Sequence, residues 1–112
     1  MLEKVKEVVK RFSFDQNVLV CAVYRVDGTP VETMIKDKEY IHILQWLEDQ
    51  MKVLLRFISD GSLRSVDFKT KDYIIFLFPI SKSLAMAIVS TSEASVYKLK
   101  IDAESLKEIL NV

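Results

Sequence analysis

The chain has 112 residues, 50% of them apolar and 29% charged, and its sixteen Lys and Arg offset sixteen Asp and Glu. This composition predicts one globular domain over 1–112 and excludes a disordered chain. The zero formal net charge argues against a nucleic-acid binder that relies on bulk electrostatics.

Cys21 is the only cysteine, which excludes an internal disulfide. His42 is the only histidine, which leaves little for a metal centre or His-based catalysis. No stretch approaches the roughly 18 apolar residues of a membrane span. The first ten residues mix acids and bases and lack the apolar core of a signal peptide. The expectation is a cytoplasmic protein with no membrane insertion.

Leu2, Val5, Val9 and Phe12 fall at helical spacing among Glu3, Lys4, Lys6, Glu7 and Lys10, predicting an amphipathic helix over residues 2–12. Residues 18–25 are almost continuously apolar and read as a strand. Asp27-Gly28 then marks a hairpin turn, because turn residues there need φ > 0. Residues 31–36 form the returning strand, which Pro30 places at a sheet edge by lacking a backbone donor.

Asp37 is a helix cap, with Glu39 in the first turn near the positive end of the dipole. The helix it opens runs over 37–59 and stops at Gly61. Three strands follow on short turns, at 63–69, 73–78 and 84–89, as an antiparallel meander. Residues 92–110 carry two periodicities. Val96, Leu99, Ala103, Leu106 and Leu110 repeat as a helix does, while Tyr97, Leu99 and Ile101 alternate with lysines as a strand does. One helix throughout is expected, with a strand over 95–101 and a short helix as the alternative.

The element order is α-β-β-α-β-β-β-α. The runs at 18–24, 73–78 and 84–89 are apolar on both faces, so helices must cover both sides of the sheet. The expected fold is α/β (α+β): a three-layer α/β/α sandwich around a five-stranded antiparallel sheet.

The long helix has more apolar surface than one sheet covers. Tyr40, Leu44, Leu47, Met51, Leu54, Leu55 and Ile58 make a broad face, and Ile43, Trp46, Val53 and Phe57 extend it, interrupted only by Gln50. The arc spans about 200°, against about 100° for an ordinary surface helix. His42, Gln45, Asp49, Lys52 and Arg56 form the narrow polar stripe. Trp and Phe are frequent interface anchors, so a second chain is expected to cover the Trp46 side, with another helix or a long loop of this chain as the alternative. A two-fold axis near Gln50 would set Ile43 against Phe57 and Trp46 near Val53, the self-complementarity of an isologous dimer.

No residue nominates itself for catalysis. Gly28 and Gly61 are isolated, so no phosphate-cradling loop exists. Cys21 reads as core and His42 as a solvated surface residue. The pairs Glu48 with Asp49 and Asp102 with Glu104 are one and two residues apart, spacings that do not converge on one helix face. Neither a cofactor nor a metal is expected, and an enzyme is the last reading.

The element order and several segments resemble the roadblock / dynein light chain family. The segments are Val18-Leu-Val-Cys-Ala-Val-Tyr-Arg-Val-Asp-Gly, the long helix, Tyr73-Ile-Ile-Phe-Leu-Phe-Pro-Ile, Leu84-Ala-Met-Ala-Ile-Val and the last helix beginning near Ser92-Glu93. The chain departs from typical members in having few glycines around the third strand and none early in the last helix. The layering is also profilin-like.

The resemblance implies a non-enzymatic homodimeric scaffold pairing through the long helix and third strand, and association with a small Ras-like GTPase. It points to Ile43, Trp46, Gln50, Val53, Phe57, Leu63 and Ser65 as dimer-interface residues. A profilin-like or PAS-like small-molecule sensor is the alternative, and a longin-type traffic module ranks third.

Overall fold

The computed structural model describes residues 2–93 and 96–110. Its elements are α1 (Leu2–Ser13), β1 (Val18–Arg25), β2 (Pro30–Ile35), a 3-10 turn (Lys38–Tyr40), α2 (Ile41–Ser59), β3 (Val66–Lys69), β4 (Tyr73–Pro79), β5 (Leu84–Thr91) and α3 (Val96–Leu110). The five strands form one sheet in the order β2-β1-β5-β4-β3. Every neighbouring pair is antiparallel.

Strand alternation divides the core into two layers. Cys21, Val23, Phe76, Phe78, Met86 and Ile88 face one side, where Val5, Val8, Val9 and Phe12 of α1 and Leu99 of α3 cover them. Val20, Ala22, Tyr24, Ile75, Leu77, Ala85, Ala87 and Val89 face the other side, against α2. This is the expected three-layer sandwich. Ala22 and Ala87 are direct cross-strand partners, and such small side chains leave room beneath the helix for Leu47 and Met51.

A bulge sharpens the start of β1. Val18 pairs with Ser90 and Val20 with Val89, so Leu19 is an extra residue. Leu19 and Val20 both join the α2 layer, whereas Val18 joins the α1 layer. The Asp-Gly hairpin turns at Gly28, whose φ of +97° suits glycine. The Arg25 amide donates to the Thr29 carbonyl across it at 2.8 Å.

Three expected boundaries are corrected. The long helix does not start at residue 37. Asp37 does cap, accepting from the Glu39 amide at 3.2 Å, but the cap opens the 3-10 turn that precedes α2. The third strand is shorter than 63–69. Residues 60–63 stay tied to the helix end, with the Leu63 amide donating to the Phe57 carbonyl and the Ser62 amide to Asp60 Oδ1. Pairing with β4 therefore begins only at Val66.

The last helix begins at Val96, and Ser92 and Glu93 form a turn. Residues 94 and 95, where the expected helix also ran, lie outside the described residues. The alternative strand at 95–101 fails for a topological reason. β5 already has β1 and β4 on its two sides, so a chain leaving β5 on a short turn meets no free strand edge.

Candidate functional site

Among the described residues, α2 is the only α-helix on its side of the sheet. Its inward residues Ile43, Leu44, Leu47, Met51, Leu55 and Ile58 are buried. Its polar stripe of His42, Gln45, Asp49, Lys52 and Arg56 is exposed, as the spacing predicts. Between them runs an apolar flank that the described residues leave largely open to solvent. Trp46 is 44% exposed, Val53 58% and Phe57 46%. Gln50 lies among them and is exposed.

Two contacts orient the helix. The Tyr24 hydroxyl donates to Glu48 Oε1 at 2.8 Å, which ties one flank to β1. On the other flank the Trp46 ring meets Phe68 of β3 edge-on, with centroids 5.6 Å apart. The exposed apolar flank therefore faces the β3 end of the sheet. β3 is an edge strand, paired only with β4 among the described strands. Val66 and Phe68 pack toward the α2 layer, and Asp67 and Lys69 alternate outward.

The seven interface candidates divide. Trp46, Gln50, Val53 and Phe57 share the exposed flank. Ile43 does not, since at 7% exposure it belongs to the chain's own core. Leu63 and Ser65 lie before β3 rather than within it. Leu63 is half-buried against the α2 layer. Ser65 lines a shallow cleft with Phe76, Phe78 and Lys100 on the opposite face of the sheet. The sequence reading passed over Val66 and Phe68, although their alternation with Asp67 and Lys69 is the pattern of a half-buried strand.

Burial pushes the Cys21 thiol pKa up, which suppresses the reactive thiolate. Burial, and then the bond to Glu48 and its charge, push the Tyr24 phenol up. Exposed Asp27 and Asp60 are held below the usual carboxylate range by hydrogen bonds from Thr29 and Ser62 in their turns. Among the described residues no buried side-chain nitrogen or oxygen lacks a hydrogen-bond partner. A cleft of about 620 Å³ is open to solvent beside the end of α1 and is crossed by an ion pair of Lys98 with Asp15 at 3.4 Å. No described helix is long and apolar enough to cross a membrane.

The family described as AF0774-like protein matches residues 2–104. None of the curated proteins compared matches the chain. Among solved structures, the chain is similar to MglC from Myxococcus xanthus, at 14% identity and a TM-score of 0.71, covering 94% of this chain and 98% of that one. It is similar to a Roadblock/LC7 domain from Streptomyces avermitilis, at 12% identity and a TM-score of 0.68, covering 99% and 94%. It is also similar to Myxococcus xanthus MglB, at 8% identity and a TM-score of 0.75, covering 97% and 86%.

Proposed function

The chain belongs to the AF0774-like protein family and has the roadblock fold, and from this footing we propose that it is a non-enzymatic homodimeric adaptor. The observation that carries the proposal is the exposed Trp46, Val53 and Phe57 flank beside the open edge of β3. Aromatic residues left on a continuous flank are costly in water and act as anchors when a second surface removes them from it. A β edge next to them supplies unpaired backbone donors and acceptors in the same direction.

The flank is symmetric in spacing. Trp46, Gln50, Val53 and Phe57 are palindromic about the midpoint between Met51 and Lys52. Two copies of α2 packed antiparallel about that midpoint bring Trp46 against Phe57 of the second copy, and Gln50 against Val53. Burial of Ile43 moves the axis here from Gln50. The same operation brings the two β3 edges together, so the sheet runs on across the dimer.

The partner of this dimer is a small Ras-like GTPase. Support for that half is the roadblock resemblance carried by the segments around Val18–Gly28, Tyr73–Ile80 and Leu84–Val89. The adaptor acts in the cytoplasm as a single domain over 1–112, without a cofactor. A small-molecule sensor has less support, because the clefts among the described residues are open and the buried polar groups already have partners.

Light scattering on the purified chain tests the dimer, with about twice the chain mass expected. Trp46→Glu is expected to give a folded monomer, and a variant that stays dimeric would exclude this face. Retention of purified small GTPases in the GDP-bound and GTP-bound states tests the partner. Absence of binding in both states would remove that half of the proposal and leave the dimer standing.

A further inference from the structure

Asp49 and Arg56 lie seven residues apart on one flank of α2, on the solvent side of the Trp46–Phe57 stripe. Both are exposed, and neither side chain has an ion-pair partner among the described residues. We infer that these two residues set the register of the helix pair, with each Asp49 carboxylate lying against the Arg56 guanidinium of the second copy. The inference rests on the homodimer proposed above.

A two-fold axis places equivalent flanks of the two helices side by side. With the midpoint between Met51 and Lys52, Arg56 of the second copy lies level with position 47. It stands two residues, or about 3 Å along the axis, from Asp49. The two Asp49 carboxylates are then five residues apart, about 7.5 Å. The two Arg56 side chains are nine residues apart, about 13.5 Å. Helices in contact are about 8–10 Å apart, a gap that the long Arg side chain spans. Each Asp49 is thus nearer in height to Arg56 of the second copy than to the second Asp49, twice per dimer.

The alternative axis at Gln50 reverses this arrangement. It sets the two Asp49 carboxylates about 3 Å apart in height and moves each Arg56 to about 7.5 Å from Asp49 of the other copy. Like charges would then face each other in the seam. Charge selects the same register that the exposed apolar stripe selects, although the two patterns use different residues. Register set by flanking charges is a recurrent device where an apolar seam alone would slide.

The test uses the full chain and measures dimer dissociation by sedimentation at several concentrations. Asp49→Arg and Arg56→Asp each place like charges in the seam. Each is expected to dimerise roughly tenfold or more weaker than the unaltered chain. A one-to-one mixture of the two variants restores both opposite-charge pairs and is expected to recover the unaltered affinity. The double variant, which exchanges the two charges, is expected to recover it as well.

Single variants that dimerise like the unaltered chain would overturn the register and leave the homodimer intact. Weakening without recovery in the mixture would also overturn it, by showing a merely structural effect. An unaltered chain that is monomeric at every concentration would overturn the homodimer itself, and the inference with it. Both positions are exposed, and circular dichroism checks that the variants fold.

Discussion

Tyr24 shows how one polar atom is accommodated in the α2 layer. Its residue is 1% exposed, and its hydroxyl reaches the half-buried Glu48 at 2.8 Å. Burial, the bond and the carboxylate charge all favour the neutral phenol and raise its pKa in the fold. A raised folded value means a contribution fully present below the unfolded tyrosine pKa of about 10 and lost as pH climbs above it. Thermal stability measured against pH is therefore expected to fall above about pH 10, and to fall less steeply in Tyr24→Phe. The same variant is expected to lose about 1 kcal/mol at neutral pH, measured by denaturant titration. Cys21 is a second such residue. Its buried, protonated thiol is expected to react with a thiol reagent only on unfolding; rapid native labelling would contradict the packing described for β1.

At the scale of elements, α2 shows one helix serving two faces. Leu47 is fully buried over the alanine-lined strands. Leu47→Ala is expected to cost about 2–5 kcal/mol in chemical denaturation, because the surrounding core relaxes only in part. Trp46→Glu, one residue away, acts on the exposed flank and is expected to spare the fold while preventing the proposed dimer. The stop of α2 depends on Gly61, whose φ is +81° with open space around it. Gly61→Ala meets no clash, so its expected cost is the backbone strain alone, about 1–2 kcal/mol.

Helix periodicity and the Asp-Gly and Gly61 punctuation made α1, α2 and the first hairpin readable from the sequence, because both signals are local. The extent of β3 was not readable, because backbone bonds back to Phe57 and Asp60 hold residues 62 and 63 at the helix end.

At the scale of the molecule, α1 and α3 cover one face of the sheet and, among the described helices, α2 alone covers the other. The asymmetry leaves the Trp46 flank and the β3 edge pointing the same way. In a dimer that joins the sheets, the amides within Val66–Lys69 that β4 leaves unpaired gain protection and those of Val31–Ile35 do not. Hydrogen exchange across a concentration series is expected to slow on β3 and stay unchanged on β2. Equal behaviour of the two edges would argue that the helices pair without the strands.

The sequence by itself determined the layers, the element order and the excess apolar surface of α2, since each follows from local periodicity and counting. It also carried the roadblock resemblance. Only the tertiary structure decided which apolar residues the chain keeps for itself. Ile43 and Trp46 are both apolar residues on the margin of the same helix face, yet one is 7% exposed and the other 44%. The difference arises because the sheet ends at β3, so one margin of α2 lies over packed strands and the next lies over an edge. Solvent meets a side chain where the neighbouring elements stop, and that limit is a property of the assembled sheet.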